Sequence, residues 1–246
     1  MPDGSADRIR PATKLRVGGF VPFTATDYPS ALAAVVFCQG CPWRCAYCHN
    51  PHLIPADADD AATGLDFGRL LDWLATRRGL LDAVVFSGGE PTAQPELAAA
   101  VTAVRKLGFA IGLHTGGAYP RRLAQLLPQV DWVGLDIKAP SAEYTGVTGI
   151  DGSGSAAFAS LDLIRAASVA FEVRTTVHPA LTPPAVLERL ASELAAHAVT
   201  RWVLQPFRPT GCANPALVAA APRGATIDEM LLTQLRTRLP NVVVRG

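Results

Sequence analysis

Short apolar runs alternate with segments of helical spacing along most of the chain, and this order limits the fold more than any other feature of the sequence. Ala31 to Phe37, Leu81 to Phe86, Phe109 to Leu113, Trp132 to Leu135, Ala170 to Val177 and Trp202 to Leu204 have the length and apolar content of buried strands. Between them lie helical stretches. Asp66 to Thr76 carries Phe67, Leu70, Leu71 and Leu74 on one face, and Pro95 to Leu107 opens on a proline suited to a first turn. Arg121 to Leu127 is closed by Pro128, and Ala156 to Ala167 and Pro184 to His197 follow. Ile227 to Leu239 leads to a last short strand, Val242 to Val244. Strands and helices in alternation, joined by short loops, imply a parallel sheet with crossover helices. Six such units and a final strand are too few for an eight-fold barrel. The expected fold is α/β, a partial (β/α)6 TIM-like barrel. Leu15 to Phe23, with Gly18-Gly19 at its centre, reads as a short hairpin. Residues 1–13 read as a flexible tail, and residues 14–246 as a single domain with no low-complexity break.

Composition excludes several classes. A chain of 246 residues that is 49% hydrophobic can bury one sizeable core. Its 22 basic and 21 acidic residues leave a formal charge of +1, too little to draw nucleic acid or an anionic membrane. No apolar run approaches the ~18–20 residues of a membrane span. Met1 to Lys14 is polar and lacks the pattern of a secretory signal, so a soluble cytoplasmic protein is expected.

In such folds chemistry gathers where strands end. Here those places hold a cysteine loop, Ser87 to Glu90, His114 to Gly117, Asp136 to Lys138, and Gln205 to Arg208. Of five cysteines, Cys38, Cys41, Cys45 and Cys48 fall within one short stretch, and Cys212 stands alone. Without an export signal, that grouping argues for metal and against disulfides. Cys41, Cys45 and Cys48 have the spacing CxxxCxxC, which lets three thiolates hold one face of an iron–sulfur cubane and leaves a fourth iron open. The stretch also reads CxxCxxxCxxC from Cys38, and a structural zinc or a closed four-cysteine cluster stays open on spacing alone. Cys38 in strand parity also reads as a small buried apolar residue.

CxxxCxxC with Tyr47 before its last cysteine resembles the signature of radical S-adenosylmethionine (SAM) enzymes. The resemblance implies a [4Fe–4S] cluster on Cys41, Cys45 and Cys48, with SAM on the open iron. It also implies reductive cleavage of SAM to a 5′-deoxyadenosyl radical, so that no side chain is needed as the catalytic group. Ser87-Gly88-Gly89-Glu90 resembles that family's GGE segment, which implies contacts of Gly88, Gly89 and Glu90 with the SAM amino group. Asp27-Tyr28-Pro29-Ser30, Gln39 to Cys45, and Cys48-His49-Asn50-Pro51 are similar to the glycyl-radical-enzyme activases. The nearest likeness is to the longer activators of anaerobic ribonucleoside-triphosphate reductase. Asp131 to Pro140 resembles that group's D-x-K segment, and Phe171 to Pro179 and Val203 to Phe207 its later strands. Tyr47, His49, Thr115, Asp136, Lys138 and Arg174 join the implied cofactor-binding set. His49 is read either as a SAM contact or as packing for the loop. Arg174, costly to bury unpaired, is expected to meet a carboxylate of either SAM or the protein. His52, His178, His197 and Cys212 read as ordinary residues.

The implied reaction makes a glycyl radical on a partner, expected to be class III ribonucleotide reductase. It needs flavodoxin or ferredoxin as electron donor. The alternative is a radical SAM enzyme acting on a small molecule, of the 7-carboxy-7-deazaguanine synthase kind. Two departures stand out. His114-Thr115-Gly116-Gly117 replaces the group's frequent Asp-Thr-Asn-Gly, whose Asp helps bind a cation, and a histidine suits a hard cation poorly. Arg208 stands where one branch has a SAM-contacting His, and that role is not transferred to it.

Overall fold

The computed structural model describes residues 14–57, 65–221 and 227–246; the expected tail, residues 1–13, lies outside them. One sheet of eight strands runs in sequence order. Its strands are β1 (Val17–Thr24), β2 (Ala33–Cys38), β3 (Ala83–Gly88), β4 (Ala110–Thr115), β5 (Trp132–Asp136), β6 (Ala170–Val177), β7 (Trp202–Pro206) and β8 (Val242–Val244). From β2 to β8 every neighbouring pair is parallel. β1 runs antiparallel to β2, with Val17 opposite Cys38. No pairing joins β8 to β1, so the curved sheet keeps an open seam.

The helices are α1 (Phe67–Ala75), α2 (Leu97–Lys106), α3 (Pro120–Leu126), α4 (Tyr144–Thr148), α5 (Ser153–Ala166), α6 (Pro184–Ala196), α7 (Pro215–Ala219) and α8 (Glu229–Arg236). Local chemistry fixes their ends. The Asp66 carboxylate accepts from the Arg69 amide at 2.9 Å, which caps α1, and Phe67, Leu70, Leu71 and Leu74 are the face it buries. Proline opens α3, α6 and α7, where its missing N–H costs nothing. The helices cover the outer face of the sheet in one continuous apolar core. Cutting a fully buried member such as Leu74 or Leu190 to alanine is expected to cost ~2–5 kcal/mol.

The inner face is different. Ala33, Val35, Ala83 and Val85 form a small cluster there, joined by Tyr28, Phe37 and Ala110. Further along, that face turns polar. The connection from β1 to β2 folds inward, and its Tyr28 ring lies 5.7 Å from Trp132 and against the bare Cα of Gly112.

The hairpin expected over Leu15 to Phe23 is instead one strand, β1. Gly18 does not reverse the chain; a Cβ there would strike the Gln39 and Leu53 side chains. The glycine was a close-packing signal that imitates a turn signal. Helix α5 begins three residues before the expected Ala156, after the left-handed Gly152. Among the described residues no helix is long and apolar enough to cross a membrane.

Candidate active site

The carboxyl ends of the strands surround a cavity of about 290 Å³. All twelve residues expected to bind cluster or SAM line it: Cys41, Cys45, Tyr47, Cys48, His49, Gly88, Gly89, Glu90, Thr115, Asp136, Lys138 and Arg174. Cys38 and Cys212 do not.

The cysteine loop is built to keep its shape without secondary structure. Gln39, buried at the end of β2, donates to the carbonyls of His52 and Pro55 at 3.0 and 2.7 Å. Gln94 spans three chain segments through Arg16 and the carbonyl of Gln39. Gly40 takes φ +92°, a left-handed value that favours glycine, and its amide donates to Leu53. On the other side Arg44 and Ala46 donate to Thr148 and Val147, the last residues of α4. The His49 Nε2–H donates to the Arg208 carbonyl at 2.9 Å, and the His49 ring lies 5.4 Å from Phe207. Burial holds the His49 imidazole below its ordinary pKa. Cys38 is fully buried in β2 as a core residue. Cys212 faces the Ala46 carbonyl from behind the loop.

Cys41, Cys45 and Cys48 are each partly exposed to the cavity. Burial, followed by the nearby Glu90, pushes the Cys41 thiol up to about 12; burial also raises Cys45, against the pull of Lys138. Metal binding displaces the protons of such thiols, and cluster iron would supply the charge that does so at Cys41 and Cys45. Among the described residues no three His, Cys, Asp or Glu side chains form a ready-made site for one ion. Cys41, Cys45 and Cys48 line one cavity, and three thiolates are the donor set that one face of an iron–sulfur cluster takes.

Glu90 is the hub beneath this wall. It is 2% exposed, and its Oε1 accepts from the Thr92 amide, the Thr92 hydroxyl and the Thr115 hydroxyl at 3.1, 2.6 and 2.7 Å. Oε2 accepts from the Gly116 amide at 2.9 Å. The carboxylate thus ties the end of β3 to the end of β4, and Thr115 serves it. Gly88 and Gly89 bring β3 against the cysteine loop: a Cβ on Gly88 would meet the Cys38 backbone, and one on Gly89 the Gly40 carbonyl. Gly116 in turn makes room for the Trp43 ring.

The charged side of the cavity is set by strand register. Asp136 ends β5 opposite Arg174 in β6. The Arg174 Nε and Nη2 both reach Asp136 Oδ1 at 2.9 Å, so the carboxylate expected beside Arg174 is found within the protein. Lys138 Nζ lies 3.7 Å from Asp136 Oδ2, and 5.7 and 5.6 Å from the ring centres of Trp43 and Tyr47. Burial alone would lower Lys138, but Tyr47 and Asp136 outweigh it and hold the ammonium well above its usual value. Burial likewise pushes Asp136 up, and Arg174 and Lys138 together hold it below the carboxylate range.

Sequence reasoning missed Tyr144, whose hydroxyl accepts from the Lys138 amide and donates to the Asp136 carbonyl, both at 3.1 Å. Thr176 also lines the cavity unforeseen, together with Asp27, Trp43 and Gln205 from segments already singled out but given no individual role. Strand parity marks Thr176 and Gln205, which share the inner face with Arg174. No sequence signal marks Tyr144, on a helix of five residues.

Comparison with known proteins agrees with this geometry. The family described as the Radical SAM superfamily matches residues 35–191. A Methanocaldococcus jannaschii protein named as a candidate glycyl-radical enzyme activating enzyme is 28% identical over 203 residues, 80% of this chain and 81% of that one. The pyruvate formate-lyase-activating enzyme of Clostridium pasteurianum is 32% identical over 159 residues, 61% of this chain and 64% of that one. Among solved structures, Streptococcus suis SuiB bound to S-adenosylmethionine superposes with TM-score 0.61 at 12% identity, covering 85% of this chain and 48% of that one. Escherichia coli QueE gives 0.55 at 18%, covering 83% and 90%. The chain spans about half the length of the SuiB structures.

Proposed function

The chain belongs to the radical SAM superfamily, and from that premise we propose that it is a glycyl-radical-enzyme activase whose partner is an anaerobic ribonucleoside-triphosphate reductase. As a member of the family it uses a [4Fe–4S] cluster and SAM. Cys41, Cys45 and Cys48 would hold the cluster. Tyr47, His49, the Gly88 to Glu90 edge, Thr115, Asp136, Lys138 and Arg174 would surround SAM. When bound, cluster and cofactor supply a carbon-centred radical able to abstract a hydrogen atom. The chain's own part is to hold these groups, exclude water and admit the substrate. Lys138 and Arg174 place positive charge on one wall, and Glu90 keeps the opposite wall in register.

The observation that carries the activase reading is the open seam. A second cavity of about 390 Å³ lies along it and shares Asp27, His49, Arg174, Thr176, Gln205 and Arg208 with the first. A path continuous with the site and open at the side suits a backbone glycine on another protein's loop. The sequence likeness to activating enzymes supports the same reading. Flavodoxin or ferredoxin is the proposed reductant, and the cytoplasm the proposed compartment.

The test is anaerobic. The reconstituted, reduced protein is mixed with SAM and the anaerobic ribonucleotide reductase of its own genome. Chromatography should find 5′-deoxyadenosine, and electron paramagnetic resonance should find a doublet on the reductase that is lost when its radical glycine is changed to alanine. Deoxyadenosine without any radical on the reductase would reject this partner.

A further inference from the structure

We propose that Arg174 is a tethered cation that receives the carboxylate of SAM, so that this chain binds the cofactor without a free metal ion beside it. The inference rests on the family's use of SAM and is independent of the activase reading.

The Gly134 carbonyl and the Asp136 carboxylate converge on one point of the inner face. Two such oxygens are the donors a hard cation takes. Here a guanidinium fills the point: Arg174 Nη2 donates to the Gly134 carbonyl at 3.3 Å and pairs with Asp136 Oδ1 at 2.9 Å. The room for it comes from Gly134 itself, since a Cβ there would lie 2.7 Å from Arg174 Nη1 and 2.8 Å from Cζ. The fourth corner is His114, directly opposite Gly134 in register. A carbonyl can only accept, so the 2.9 Å contact between His114 Nε2 and the Asp27 carbonyl places the ring's proton on Nε2. Nδ1 is then a neutral nitrogen, not the anionic oxygen a hard cation would need. Burial, followed by the Arg174 charge, holds His114 down to about 3 and keeps it neutral.

The charge count completes the argument. Arg174 and Lys138 share the single carboxylate of Asp136, and both line the cavity. Within this trio the cations outnumber the carboxylate by one, and Arg174 Nη1 has no hydrogen-bond partner among the described residues. An anionic group on the ligand satisfies it, and the carboxylate of SAM is that group. With Nε and Nη2 engaged by Asp136 and Gly134, the two N–H groups of Nη1 are the donors open to that carboxylate, with a directionality no spherical ion has.

The experiment is a binding titration of SAM to the anaerobically reconstituted protein. It is run in sodium, potassium or choline chloride at equal ionic strength, with chelator present. The wild-type Kd should agree within about twofold across the three salts, and Arg174→Gln should weaken binding by about tenfold or more, with Arg174→Lys partly restoring it. The double variant His114→Asp, Arg174→Ala should bind SAM better in sodium or potassium than in choline, because it rebuilds an oxygen site. A wild-type Kd that rises about tenfold in choline overturns the proposal, whether or not the variants fold. So does a folded Arg174→Gln protein that binds SAM as tightly as wild type.

Discussion

Trp43 of the cysteine loop meets Tyr144 of α4 edge to face, with ring centroids 5.7 Å apart at 70°. This contact joins the metal side of the cavity to its charged side. Tyr144 then fixes the Asp136–Lys138 turn through one hydroxyl. Tyr144→Phe keeps the ring and removes both hydrogen bonds, leaving the Lys138 amide without that partner. The expected cost is ~1–3 kcal/mol. SAM affinity should fall several-fold as Lys138 loses its anchor, while iron content stays normal. Thermal unfolding and a SAM titration check both halves.

The five cysteines should separate into two classes. Changing Cys41, Cys45 or Cys48 to alanine should abolish cluster assembly and SAM cleavage in a folded protein, read by iron and sulfide content, circular dichroism and deoxyadenosine formation. Cys38→Ala should keep its iron and lose ~1 kcal/mol of stability, from a small core cavity. Cys212→Ala should keep both. Cleavage retained by Cys45→Ala would remove the central assignment.

Glu90→Gln tests the hub. All four groups that reach this carboxylate are donors to it. An amide nitrogen in place of one oxygen faces a donor and cannot accept. A loss of ~1–3 kcal/mol is expected, larger than for a surface change. Because β3 and β4 are joined there, reconstituted iron should also drop. Unchanged stability would mean that Glu90 is not the tie described.

His114 sets a pH dependence. Its pKa falls from 6.5 in the unfolded chain to about 3 in the fold, through burial and then the Arg174 charge. Between those values the unfolded chain binds a proton that the folded chain does not. The His114 contribution is therefore complete above about 6.5 and is lost as pH falls toward about 3. The slope it adds is at most ~1.4 kcal/mol per pH unit. Urea unfolding midpoints should fall with acid in the wild type and fall less in His114→Asn.

The alternation of apolar runs made the sheet legible, because a parallel strand buried on both faces leaves an unbroken apolar stretch such as Ala33 to Val36. The site was legible for a related reason. Many of its residues sit at strand ends, so Gly88 to Glu90 and Asp136 could be placed before any contact was known, while Arg174, inside β6, was reached through the family resemblance. What those residues do to one another was not legible. Glu90 spends its charge on the protein's own threonines and amides, and Arg174 pairs with Asp136 from a separate strand. Such pairings depend on which side chains face inward across a register, and neither strand carries that alone. Gly18 misled in the opposite direction, since local sequence cannot tell a glycine that turns from one that makes room.

A sheet that never closes carries two unpaired strand edges, a standing invitation to sheet-to-sheet association. This chain blunts both. β1 breaks register between Val21 and Thr24, where Pro22 has no amide to offer, and β8 is only three residues long. The seam therefore gives a visitor a slot lined with side chains and little backbone to extend. A copy of the same molecule, which would need a long clean edge to add its own strand, finds none at either lip.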